Sequence, residues 1–168
     1  MTTTLIIERY PRILKNKKKL EKLLNVKISN EKENITLEGT PEDEYIAEKV
    51  IQALDFGFPF QTALMIRQND YMFEVLNIKD YTQRKDLERI RARIIGKAGK
   101  SLSTLTHLTQ CHFELKDNFV GIIGAPENIK NGQEGIYALI RGSKHGNVYS
   151  YLEKHQVQSP DDLGLKEK

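Results

Sequence analysis

Chemistry in this sequence is most concentrated at Gly96-Lys97-Ala98-Gly99, where two glycines bracket two residues and Lys100 and Ser101 follow. Glycine has no Cβ, so a turn built on it can be sharp and can let a foreign backbone approach closely. Ile94 and Ile95 lead into the turn, and a run with helical spacing, residues 101–109, leaves it. Between positions 84 and 100 there are seven Lys or Arg and two Asp or Glu, a local excess of five positive charges in a chain whose net charge is +3. A bare turn, open amides at a helix start and a basic surround together describe a phosphate cradle. The candidate site is therefore Arg91, Arg93, Ile95, Gly96, Lys97, Ala98, Gly99, Lys100 and Ser101.

Other chemistries fit less well. Gly99-Lys100-Ser101 could close a P-loop, but that motif needs glycine where Ile94 stands, and a strand rather than a basic helical run before it. His107, Cys111 and His112 lack a fourth metal ligand, and Cys111 falls at a core strand position. Glu114 and Asp117 flank a short loop and read as surface charges rather than an acid–base pair. No catalytic residue, metal or cofactor is expected, and the protein is read as holding a ligand rather than transforming one.

The elements that must position this turn occur twice. Shifted by 85, Leu20, Leu23, Val26 and Ile28 meet Leu105, Leu108, Cys111 and Phe113, and Gly39, Pro41 and Glu42 meet Gly124, Pro126 and Glu127. The same shift pairs Leu54 with Leu139 and Gly57 with Gly142. Upstream the shift falls to 81, where Arg12 meets Arg93, so the first copy lacks four residues at the glycine turn. Arg93 is the member of the basic group most suited to a structural role, because Arg12 persists where the cradle does not.

Each copy predicts a strand (3–7; 72–78), two short helices, two short strands (26–29 and 34–38; 111–116 and 120–123) and a helix that opens on proline with acids beside it. The expected fold class is α+β, βααββα twice over. Residues 1–69 are read as the first domain with an apolar linker, 70–158 as the second with a terminal helix, and 159–168 as a flexible tail. The linker, 58–70, carries Phe58, Phe60, Leu64, Met65 and Ile66, too apolar for a free tether, so the halves are expected to pack together.

In the first copy Lys15, Lys17, Lys18 and Lys19 occupy the place of the missing turn. Eight positive residues and one acid, Glu21, lie between positions 9 and 27. This secondary basic surface suits attraction by charge alone, sensitive to salt, or else a solubilising helix start. The chain holds 168 residues, 39% hydrophobic and 29% charged, with no apolar run of the roughly 20 residues a membrane span requires. No membrane partner is expected, and a single cysteine with no leader-like start points to the cytoplasm.

A βααββα unit with Gly-x-x-Gly between its helices resembles the eukaryotic type of KH domain. A first unit without the motif, a second with it, then Arg141-Gly142-Ser143 and Asn147-Val148-Tyr149, is similar to the archaeal two-KH ribosome-assembly proteins, the partner-of-Nob family. The resemblance covers about 5–155 and implies two tandem type I KH units, the first degenerate. It implies binding of single-stranded small-subunit rRNA near its 3′ end, beside a PIN-domain endonuclease, and contact with the α subunit of translation initiation factor 2. The loop of such a unit clamps roughly four nucleotides, with Ile95 and Phe113 or Leu115 walling the base groove. The competing class is a protein-interaction scaffold in which the apolar linker or the 148–155 helix docks a partner.

Overall fold

The computed structural model describes residues 2–157, so the tail expected over 159–168 lies outside the described residues. Strand β1 (Thr2–Ile6) is followed by α1 (Tyr10–Leu14), α2 (Lys17–Leu24), β2 (Lys27–Glu31), β3 (Asn34–Glu38) and α3 (Pro41–Phe56). Helix α4 (Phe60–Gln68) leads to β4 (Met72–Asn77), α5 (Leu87–Ile95), α6 (Lys100–Thr109), β5 (His112–Lys116), β6 (Phe119–Gly124), α7 (Pro126–Ile140) and α8 (His145–Lys154). Two antiparallel sheets result, ordered β1-β3-β2 and β4-β6-β5. The extra approach to α5 contains a 3-10 turn, Ile78–Tyr81.

The internal repeat has physical causes. Gly39 runs beneath Val26, and Gly124 beneath Cys111, whose Sγ would lie 2.6 Å from a Cβ added there. Backbone turns into the left-handed region recur at the same spacing, at Asn25 and Gln110, Lys32 and Asp117, Gly57 and Gly142. Pro41 and Pro126 open α3 and α7, and Thr40 Oγ1 accepts from the Asp43 amide at 3.2 Å to cap α3.

The repeat extends further than its sequence signal. The segment 58–70, expected as a non-repeating linker, forms α4, which follows α3 as α8 follows α7, again 85 residues apart. Their side-chain patterns diverge because their neighbours differ. Helix α4 lies on α3 and on β6 of the second sheet, whereas α8 lies across α6 and α7.

Each half has its own core, one around Ile13, Leu20, Leu37 and Ile51, the other around Ile94, Leu105, Ile122 and Ile136. They are joined by an aromatic contact that fixes one half on the other. Phe56, Phe58 and Phe73 meet with centroids 5.8–6.1 Å apart, and Ile123 of the second sheet packs into the first core. Gly121 makes room for it, since a Cβ there would stand 2.8 Å from the Phe58 ring and 2.9 Å from Phe56. Edge-to-face aromatic pairs of this kind contribute about 1 kcal/mol each beyond the area they bury.

Candidate nucleic-acid interface

Helix α5 enters the glycine turn with Ile94 fully buried and Ile95 38% exposed, so one isoleucine anchors the helix while the other stands at the surface. The chain then takes three left-handed residues in four: Gly96 at φ +78°, Ala98 at +55° and Gly99 at +75°. At Gly96 both space and dihedral require glycine, because an added Cβ would lie 2.6 Å from the Ser101 backbone nitrogen and from its Cβ. At Gly99 nothing lies within 4 Å of an added Cβ. The outer side of the turn is therefore open, with Lys97, Ala98 and Lys100 all exposed. Gly99 is the N-cap of α6 with no side-chain cap, so the first amides of that ten-residue helix face this opening.

The first half offers no such turn. Lys15 (φ −56°, ψ −31°) and Asn16 (φ −111°, ψ 14°) keep to ordinary right-handed or bridging backbone. The left-handed positions shared by the halves are structural turns and caps, and those at the glycine turn belong to the second half alone.

The remaining candidates divide between exposed and committed groups. Arg91 Nη1 donates to the Asp117 carbonyl at 3.2 Å, tying α5 to the β5–β6 turn while the residue stays partly exposed. Arg93 does not face the turn's open side. Its guanidinium donates to the carbonyls of Leu139 and of Ser143, the latter at 2.5 Å, and its own carbonyl accepts from His145 Nε2 at 2.8 Å. A cation on the last carbonyls of α7 satisfies groups that the helix cannot satisfy itself. Arg12 does the same in the first half, donating to Leu54 O at 3.1 Å and Phe58 O at 2.6 Å. The paired latches hold each half's α3–α4 or α7–α8 junction, a role visible in the sequence only as the persistence of Arg12.

Ser101 is 3% exposed beneath Gly96, and its Oγ has no hydrogen-bond partner among the described residues. It is a floor under the turn rather than a surface contact. On the strand side, Phe113 is 9% exposed and belongs to the core, while Leu115 is half buried against it. Leu115 is thus the β5 residue with apolar area to set opposite Ile95.

Lys97 and Lys100 have no carboxylate in ion-pair range among the described residues, so their charge is uncompensated locally. Cys111 is buried, with its thiol pushed up to about 11 by desolvation, and His112 is held below the ordinary imidazole value by burial. Burial raises the Glu114 carboxyl, opposed by Arg12 and Arg9 nearby. These are the marks of packed groups.

Residues 72–157 match the family described as the eukaryotic type KH-domain, or KH-domain type I. A KH domain-containing protein of Methanocaldococcus jannaschii is 31% identical over 147 residues, 83% of this chain and 65% of that protein. The pre-rRNA-processing protein pno1 of Emericella nidulans is 29% identical over 111 residues, 64% of this chain and 43% of that protein. The chain thus spans about half to two thirds of the length of these relatives. The crystal structure of Dim2p from Pyrococcus horikoshii superposes with a TM-score of 0.85 at 26% identity, over 92% of this chain and 99% of that one. A crystal structure of a complex of a/eIF2alpha, aDim2p and rRNA from the same organism superposes with a TM-score of 0.83 at 25% identity, over 92% of this chain and 93% of that one.

Proposed function

The chain belongs to the type I KH-domain family, in the branch that includes the pre-rRNA-processing protein pno1, and from this we propose that it is a non-enzymatic RNA-binding factor of ribosome assembly. Its second half clamps single-stranded small-subunit rRNA near the 3′ end. Gly96 and Gly99 admit the sugar–phosphate backbone to the first amides of α6, and Lys97 and Lys100 neutralise it. Ile95 and Leu115 flank the bases, and Arg91 steers from the rim. The first half, which repeats the βααββα order without the glycine turn, acts as a degenerate KH unit. Partners on this reading are the rRNA, a PIN-domain endonuclease and the α subunit of translation initiation factor 2, in the cytoplasm.

The observation that carries the reading is the open glycine turn: three left-handed residues, free space outside Gly99 and unpaired lysines on both sides. Its support from outside the chain is a structural neighbour solved with rRNA. No helix among the described residues is long and apolar enough to cross a membrane.

The test is the double substitution Lys97→Asp, Ala98→Asp, which places two carboxylates where phosphates would lie. Both residues are exposed, so thermal stability should change little, while binding of a 3′-terminal small-subunit rRNA fragment should be lost. A variant that binds this fragment as the parent does would favour the scaffold reading instead.

A further inference from the structure

We propose that the lysine turn of the first half, Lys15, Lys17 and Lys18, is a second landing for the same RNA strand, gripping phosphates by charge alone. The proposal rests on the reading that RNA is held at the glycine turn, and it extends the bound strand beyond the four or so nucleotides that a KH loop clamps.

Placement is the first argument. Strand β5 is shared by the two halves: Phe113 and Leu115 face the second core beneath α6, while Glu114 and Lys116 meet the start of α1. Lys116 Nζ lies 2.6 Å from Glu8 Oε2. Arg9 Nη1 and Glu114 Cγ both crowd Gly57, 3.0 and 3.6 Å from where its Cβ would be. The α5 side of the same strand is tied through Arg91 to Asp117, at the β5–β6 turn. The outer edge of β5, unpaired in the sheet, therefore runs between the glycine turn and the five-residue helix α1, at whose far end the lysines begin.

Charge is the second. Lys15 and Lys18 are exposed and Lys17 partly so, around a shallow depression formed by Leu14, Asn16 and these lysines. None of the three has a carboxylate in ion-pair range among the described residues, and the nearby acid Glu8 is already paired with Lys116. Lys19 differs, its ammonium lying 4.9 Å from the Phe60 ring centroid, and is left out of the landing. With no left-handed residue in this turn, the backbone cannot cradle a phosphate, and Arg12, which could form a bidentate grip, is locked on Leu54 and Phe58. What remains are mobile point charges, which suit a passing phosphate chain irrespective of base.

The experiment compares the full chain with a Lys15→Gln, Lys17→Gln, Lys18→Gln variant. The probes are a 20-nucleotide RNA of the small-subunit rRNA 3′ end and the 5-nucleotide piece of it that the glycine turn protects. Loss of three phosphate contacts should make the salt dependence of 20-mer binding shallower by about 2 in log–log slope and weaken it on the order of 10- to 100-fold at about 0.1 M salt. Binding of the 5-mer and the melting temperature should not move. An unchanged slope with the 20-mer, or an equal loss with both RNAs, would overturn the second landing. If the Lys97→Asp, Ala98→Asp variant loses the 20-mer while the lysine variant keeps it, this proposal falls and the glycine-turn reading stands. If the lysine variant loses the 20-mer and the aspartate variant keeps it, the glycine-turn reading falls and the lysine turn remains as the RNA surface.

Discussion

Arg93 offers the sharpest division between a phosphate contact and a structural latch. Its guanidinium donates to the carbonyls of Leu139 and Ser143 at the end of α7. Hydrogen bonds that involve a charged group contribute about 1.5–3 kcal/mol each, and both sites here are partly solvated, so the lower end applies. Arg93→Ala should therefore cost about 3 kcal/mol for the pair. In a chain of this size 1 kcal/mol shifts the melting temperature by about 2–4 °C, giving a fall of roughly 6–12 °C. Arg93→Lys should fall nearly as far, because one ammonium cannot reproduce the two-pronged contact. Calorimetry measures the first effect, and RNA titration across a range of salt, well below the melting temperature, measures the second. The latch leaves the salt slope of the folded variant unchanged. A phosphate contact would show the reverse: full thermal stability and a slope shallower by about 0.7 in Arg93→Ala. That result would refute the assignment, and Arg12→Ala is the internal control, since it breaks the matching latch on Leu54 and Phe58.

Three further outcomes are expected. Gly96→Ala should destabilise the second half more than Gly99→Ala: the first meets Ser101 at 2.6 Å as well as a left-handed backbone, while the second meets only the backbone penalty, about 1 kcal/mol. Equal melting temperatures for the two would contradict this. Gly121→Val should force apart Phe56 and Phe58 and cost about 1–3 kcal/mol or more, read as earlier protease cleavage between the halves; unchanged digestion would refute the tight contact. His112, held below its ordinary value by burial, gives stability that is complete above about pH 6.5 and is lost as pH falls through its lower folded value. His112→Gln should remove that part of the acid sensitivity, and an NMR titration midpoint at or above the ordinary value would contradict it.

The phosphate-binding chemistry was legible because its signal is local. Two glycines and flanking lysines fall within six residues, and left-handed backbone needs glycine at a known offset. Ala98 carried no such mark, since its left-handed conformation is imposed by the glycines around it. The element order was legible through matched glycines and prolines, each of which answers to a close contact or a helix start on the same chain. Helix α4 was not recognised as the counterpart of α8 because the halves use these helices against different neighbours, the second sheet in one case and α6 in the other, so that packing has erased the shared pattern. Arg93 was legible as a charge but not as a latch, because what a guanidinium touches depends on carbonyls 46 and 50 residues away. The pairing of Arg12 with Arg93 was the trace that the latch left in the sequence.

The account stands most directly on where RNA meets the backbone. Amide chemical shifts, followed as a 3′-terminal small-subunit rRNA fragment is titrated into the full chain, should move most at Gly96, Lys97, Ala98, Gly99, Lys100 and Ser101. Saturable binding that leaves those six amides unmoved would contradict it.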